Sequence, residues 1–164
     1  IGSIDFDEKS GIYKMYVCCD TKPQEVSVRV IKMSKDGSDV ATLFESQVAT
    51  SEDRALSIFE TDKSNLKEEE IFILEITDKD GAKDRTSYKS GNLEIIPCDV
   101  AVTDKTDEYI EVTAKKYIHA VEIEGEVIFD DNYFSLLPNE TRRMYYKKMN
   151  NAANQIDVRG YTIE

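Results

Sequence analysis

Asp130-Asp131-Asn132-Tyr133-Phe134-Ser135-Leu136-Leu137-Pro138-Asn139-Glu140 lies between two alternating apolar runs, Tyr117–Ile123 and Thr141–Tyr146. A segment of this kind reads as a tight corner between antiparallel strands. Asp131 and Asn132 carry short polar side chains that bond nearby backbone and tolerate left-handed conformations. Tyr133, Phe134, Leu136 and Leu137 are expected to anchor the corner in a core, and Pro138-Asn139 to turn the chain once more. None of these side chains sits in a catalytic pattern, so the most distinctive stretch of the sequence reads as scaffold.

Outward from the corner, helical periodicity is almost absent and alternation dominates. In the first part of the chain, Ile12–Cys19 puts Tyr13, Met15 and Val17 on one face. Gln24–Met33 sets Val26, Val28 and Val30 against Glu25, Ser27 and Arg29. Lys35-Asp36-Gly37 marks a hairpin turn. Val40–Ala49 follows with Val40, Thr42 and Phe44 in step, then Arg54–Glu60, then Glu70–Thr77, where Ile71, Ile73 and Glu75 alternate with Phe72, Leu74 and Ile76. Asp78-Lys79-Asp80-Gly81 is a second hairpin signal before Lys83–Lys89. This makes about six strands with a turn every eight to twelve residues, the spacing of a β-sandwich. Ser90-Gly91-Asn92 is the expected linker. Beyond it, Leu93–Ile96, Val100–Thr103, Tyr109–Ala114, Tyr117–Ile123, Glu126–Asp130, Thr141–Lys147 and Gln155–Thr162 predict six or seven further short strands, with a loop at Met149–Asn154. The fold class is all-β, with one sandwich over residues 1–90 and a second over 91–164. The opening Ile1-Gly2-Ser3 fits an appended remnant as well as native sequence.

The corner also carries a resemblance. Phe129 to Glu140, preceded by Ala120-Val121-Glu122-Ile123-Glu124-Gly125 and followed by Thr141-Arg142-Arg143-Met144-Tyr145-Tyr146, resembles the last immunoglobulin-like domain of family 2 glycoside hydrolases of the β-mannosidase type. Phe129, Asp131, Asn132, Phe134, Leu136, Leu137, Pro138 and Glu140 match that family's pattern. Asn139 stands where the family has a turn glycine, and Asn is the next-best residue for positive φ. The specific match covers about Ile110–Tyr146, with strand order and spacing similar over Gly91–Glu164. Residues 1–90 fit a preceding sandwich domain of the same enzymes. The resemblance implies two tandem immunoglobulin-like domains, a parent enzyme that hydrolyses terminal β-linked sugar, and export to the periplasm or the cell exterior. It also implies that the partner of this chain is the parent's catalytic barrel, within one polypeptide. That barrel needs about 250 residues, more than the 164 here.

Composition narrows the alternatives. The formal net charge is −12, split evenly between the two expected domains. Such a surface repels phosphate backbones, so nucleic-acid binding is not expected. There is no run of about 18 apolar residues for a membrane helix, and no basic–apolar–small leader. Cys18, Cys19 and Cys98 are an odd number, so no complete disulfide framework exists. Cys18 and Cys19 are adjacent on a strand and point to opposite faces, so at most one of them meets a core. Free thiols are the expected state, and one bridge from Cys98 to the pair is the alternative.

Candidate chemistry is sparse. Asp104/Asp107/Glu108, Glu68/Glu69/Glu70 and Glu122/Glu124/Glu126 are carboxylate clusters, but a general acid needs an apolar setting that raises its pKa. Glu122 and Glu124 fall on the solvent parity of a strand whose other parity is Val121 and Ile123. Asp78-Lys79-Asp80-Gly81 is faintly similar to a calcium loop, but Lys89 stands where the closing glutamate belongs. His119, the single histidine, shares parity with Val121 and Ile123 and is expected against a core or an interface. Asn139-Glu140-Thr141 has the form of a glycosylation sequon. Nine Tyr and six Phe with no Trp favour core aromatics over a sugar-stacking platform; adjacent Tyr145 and Tyr146 must face opposite ways, and Tyr161 lies near the end. No residue is therefore assigned a catalytic, cofactor-binding or metal-binding role, and no cofactor is expected. The chain is read as non-catalytic on its own. Two other readings stay open: a carbohydrate-binding module with glycan as its partner, and a surface adhesion or docking domain.

Overall fold

Alternation becomes strand pairing in the computed structural model, which describes residues 1–19, 22–52, 54–91, 94–149 and 155–164. Asn92 of the expected linker, Leu93 of the expected strand after it, and residues 150–154 of the expected loop lie outside the described residues. The chain divides into two compact units, Ile1–Asn92 and Leu93–Glu164. Both are all-β sandwiches of the immunoglobulin-like kind, built from antiparallel sheets.

The first unit has seven strands: β1 (Gly2–Asp7), β2 (Ile12–Cys19), β3 (Glu25–Ser34), β4 (Val40–Ala49), β5 (Arg54–Asp62), β6 (Glu70–Thr77) and β7 (Lys83–Lys89). They form a three-stranded sheet, β1-β2-β5, and a four-stranded sheet, β4-β3-β6-β7, a strand count that fits the constant-type immunoglobulin sandwich. The reading of about six strands misses β1, whose opening Gly2-Ser3 carries no apolar alternation. Tyr13, Met15 and Val17 from one sheet close on Val26, Val28, Val30, Phe72, Leu74 and Ile76 from the other. Two bulges break the simple parity. One, opposite Val30/Ile31, takes Val40 and Phe44 out of step: Phe44 packs against the core, while Val40 is 51% exposed. The other, between Met15 and Tyr16, lets consecutive Ile58 and Phe59 both reach the core. Glu75, in step with Ile71 and Ile73, is buried in the middle of the second sheet and is held by Arg29 at 2.8 Å and Arg85 at 2.6 Å.

The second unit contains β8 (Ile95–Cys98), β9 (Ala101–Lys105), β10 (Tyr109–Thr113), β11 (Ile118–Gly125), β12 (Val127–Phe129), β13 (Phe134–Leu136), β14 (Thr141–Lys148) and β15 (Ile156–Ile163). One sheet runs β12-β14-β10-β9 and the other β13-β11-β15-β8. Their inner faces meet through Ile110, Val112 and Met144 on one side and Ile118, Val121, Ile123, Phe134 and Leu136 on the other. β15 and β8 approach closely at Gly160, where a Cβ would lie 2.9 Å from the Cys98 carbonyl oxygen, so only glycine fits there.

The corner adds a short strand, β13, that alternation alone could not resolve. The Asn132 Oδ1 accepts the Ile123 N–H at 2.8 Å, and its Nδ2 donates to the Ile123 carbonyl at 2.9 Å. The side-chain amide thus replaces a backbone partner for β11. Tyr133, rather than Asp131 or Asn132, takes the left-handed conformation, at φ 58°. That rotation sends its ring outward, so it is 64% exposed; the expectation of Tyr133 as a core anchor is corrected. Phe134 and Leu136 are buried, and Leu137 is half-buried. Asp131 pairs with Arg142, whose guanidinium lies 4.3 Å from the Phe134 ring centroid.

Leu137-Pro138-Asn139-Glu140 then forms a turn with Asn139 at φ 63° and the Glu140 N–H on the Leu137 carbonyl at 3.0 Å. Pro at the second position and a positive φ at the third define type II. The Glu140 carboxylate accepts the Leu137 N–H at 2.9 Å and closes the loop from the other side.

Replacing Asn132 by Ala is expected to lower unfolding free energy by roughly 1–3 kcal/mol, because two half-buried backbone groups lose their partners. Asp should cost a similar amount, since it can accept from Ile123 N–H but not donate to its carbonyl. Chemical denaturation monitored by far-UV circular dichroism measures both. At position 139, Gly is expected to match or exceed wild-type stability, while Val should cost about 1–2 kcal/mol, because a left-handed backbone crowds a branched side chain.

Candidate functional site

The second unit presents one ordered polar cluster on the outer face of each sheet. On β11 and β15, Glu122 stands opposite Arg159 in register. Its carboxylate accepts the Tyr133 hydroxyl at 2.9 Å and the Tyr161 hydroxyl at 2.8 Å. Arg159 lies 3.9 Å from Glu122 and 3.1 Å from Glu124. Glu122 is therefore half-buried at the centre of a network, which refines its reading as a plain solvated residue. The Tyr161 and Tyr133 hydroxyls hold its carboxyl below the usual carboxylate range. The same contacts push both phenols up. A carboxyl held ionised in this way can accept hydrogen bonds, whereas a glycosidic general acid must keep its proton.

On β10 and β14, three outward cross-strand pairs follow one another: Tyr109 with Tyr145, Glu111 with Arg143, and Thr113 with Thr141. The Tyr109 and Tyr145 centroids are 6.0 Å apart with planes at 67°. Arg143 places its guanidinium carbon 4.1 Å from the Tyr109 ring centroid and bonds Glu111 at 3.0 Å. The Tyr109 hydroxyl donates to Asp104 at 2.6 Å, which pushes the phenol up. Thr113 shares hydrogen bonds with Thr141 at 2.7 Å and Thr103 at 3.4 Å. Tyr145 is 53% exposed, while Tyr146, facing inward, is buried against Phe129. The expectation that tyrosines serve the core holds for Tyr13, Tyr117 and Tyr146 and fails for Tyr133 and Tyr145. The β10–β14 face escaped sequence reasoning because its signal is cross-strand: Glu111 and Arg143 are complementary only once the corner has fixed the register.

The remaining candidates disperse into structural roles. Asp107 pairs with Lys148 at 2.9 Å, Glu69 with Lys35 at 3.0 Å and Glu70 with Lys32 at 3.3 Å. Glu124 and Glu126 meet Gln155 and Asp157 around a shallow cleft of about 360 Å³. The Asp78 carboxylate accepts the Asp80 and Ala82 N–H groups, each at 2.9 Å, as a hairpin turn does. Among the described residues no group of three His, Cys, Asp or Glu side chains is arranged to hold a metal. The bulge between Ile118 and Val121 breaks the parity assigned to His119. The ring is half-buried beside Tyr117, whose hydroxyl is 3.5 Å from Nδ1, and burial lowers its pKa. Cys18 and Cys98 are free thiols, while Cys19, the buried member of the adjacent pair, donates its S–H to the Lys22 carbonyl at 3.6 Å; burial raises the Cys98 thiol. Among the described residues no helix is long and apolar enough to cross a membrane.

Residues 96–163 match the Ig_mannosidase family model, an Ig-fold domain. No curated protein matches the sequence. Among solved structures, the β-D-mannosidase of Dictyoglomus thermophilum is similar in fold, with a TM-score of 0.73 over 99% of this chain at 11% identity. This chain spans 21% of that enzyme's chain.

Glu122 gives a pH test. Its folded pKa is depressed, so its contribution to stability is present above the unfolded value of about 4.3 and is lost as pH falls through the folded value. Glu122→Gln should therefore flatten the fall in denaturation midpoint below pH of about 4, leaving the neutral-pH hydrogen bonds only partly replaced. An unchanged acid limb would show that Glu122 does not titrate with folding.

Proposed function

With the second unit an immunoglobulin-like domain of the mannosidase type, we propose that this chain is a non-catalytic accessory region of a family 2 glycoside hydrolase resembling β-mannosidase. In this reading residues 1–90 and 91–164 are two tandem domains, and their partner is a catalytic barrel elsewhere in the parent polypeptide. The parent hydrolyses a terminal β-linked sugar, and the two domains buttress its barrel.

One observation carries the reading: the residues shared with the family pattern all serve as scaffold. Asn132 completes β11, Asp131 holds Arg142, Phe134 and Leu136 fill the core, and Glu140 closes a turn. A motif made of such residues suits a support. The Glu122 carboxylate is held ionised by phenol hydrogens, which suits a structural link and not proton donation.

The reading frame that contains this sequence, and the activity of its product, test the proposal. The 164-residue chain should leave an aryl β-mannoside intact at the rate of a heat-inactivated control, and the parent polypeptide should hydrolyse it. Turnover by the isolated chain, or a reading frame without a barrel-sized segment, would overturn the proposal.

A further inference from the structure

We propose that the outer face of β10 and β14, built on Tyr145, Arg143, Tyr109 and Glu111, is a binding subsite for a neutral pyranose unit of a glycan. The inference rests on this face alone and does not require the parent to be a glycosidase.

The face has a ring that is open and polar groups that are already fixed. Tyr145 is 53% exposed, and Tyr109 braces it edge-on at 6.0 Å. The outer face of a phenol ring is electron-rich, and the axial C–H groups of a pyranose present the matching positive edge. Beside the ring, Arg143 is held from two directions, by Glu111 at 3.0 Å and by the Tyr109 ring at 4.1 Å. The Thr103, Thr113 and Thr141 hydroxyls continue the row. A guanidinium next to a carboxylate offers donors and acceptors to vicinal hydroxyls, the pattern that a sugar presents. Because these side chains are ordered before any ligand arrives, binding would freeze few rotors.

Other occupants fit less well. The chain carries a net charge of −12, and the one arginine at the centre of the face is paired with Glu111. A nucleic acid or an anionic lipid surface would thus meet repulsion without a free cation cluster. The large apolar side chains left open on β10, β12 and β14 are Tyr145 and Ile128. A stable protein partner covers about 800 Å² on each side around an apolar core, and one phenol and one isoleucine supply little of that. One pyranose needs a single ring.

The test is a titration of the isotope-labelled 164-residue chain with mannohexaose and, separately, with cellohexaose, followed by amide and side-chain nuclear magnetic resonance. Saturable shifts with a millimolar or tighter constant are expected at Tyr109, Glu111, Thr113, Thr141, Arg143 and Tyr145 for at least one of the two sugars. Tyr145→Ala should weaken binding about tenfold or more, equivalent to about 1.4 kcal/mol. Tyr145→Phe should retain it, because the ring and not the hydroxyl makes the contact. Tyr145 is exposed, so both variants should keep the wild-type circular dichroism spectrum. Absence of saturable shifts with either sugar, shifts confined to the β11–β15 face, or undiminished binding by Tyr145→Ala would each overturn the inference. None of these results bears on whether the parent contains a barrel, which the reading frame decides separately.

Discussion

The second unit depends on one amide. On its β13 side, the ladder of β11 ends at the Val121–Phe134 pair, and the Asn132 side chain then takes both backbone groups of Ile123. A side-chain amide carries the same donor and acceptor as a peptide group, so it extends the strand by one position without spending a residue on pairing. The chain is then free to turn. Asn132 points into the sheet, Tyr133 takes a left-handed conformation, and Phe134 is delivered to the core. The Tyr133 strain of about 1–2 kcal/mol is offset within the same corner, by the Asn132 bonds, by the Asp131–Arg142 pair and by the Tyr133 hydroxyl on Glu122.

Charged groups in both units act as ties between strands. Glu75 joins β6 to β3 and β7 through Arg29 and Arg85. Glu111 joins β10 to β14 through Arg143, and Glu122 links β11 to β15 through Tyr161. Each carboxylate accepts hydrogen bonds from a neighbouring strand, and at Glu122 the Tyr161 and Tyr133 hydroxyls favour the ionised form. Catalytic acids arise from the opposite surroundings, apolar walls and a nearby like charge. The excess of acidic residues in the sequence therefore divides between solvated positions and cross-strand ties.

Much of the fold was legible because a half-buried antiparallel strand writes its geometry as alternation. Ile12–Cys19, Val40–Ala49 and Glu70–Thr77 coincide with β2, β4 and β6. Alternation fails where the period breaks. The bulge beside Ile31 put Val40 outside while Phe44 went in, and the bulge after Ile118 detached His119 from the parity of Val121. The three-residue β13 was too short to show a period, and β1 opens on Gly2-Ser3, which carries no apolar alternation. Tyr133 was misplaced because its direction follows from φ, which sequence does not display for a non-glycine residue. The polar face on β10 and β14 was invisible for another reason: Tyr109, Glu111 and Thr113 acquire partners only through a register set many residues away.

That register links scaffold to surface. The Glu140 carbonyl accepts the Ala114 N–H at 3.1 Å, and the Asn139 N–H donates to the Ala114 carbonyl at 2.7 Å. The type II turn is thereby stapled to the end of β10 at the point where β14 begins, and Thr141 has no choice but to face Thr113. Every later pair follows, up to Tyr109 and Tyr145. A slip of one residue would carry Tyr145 inward and expose Met144 and Tyr146, so burial of those two side chains enforces the same alignment from the core. The corner that closes this sandwich is thus also what holds an aromatic ring, an arginine and a carboxylate in a fixed row on the outside of the sheet.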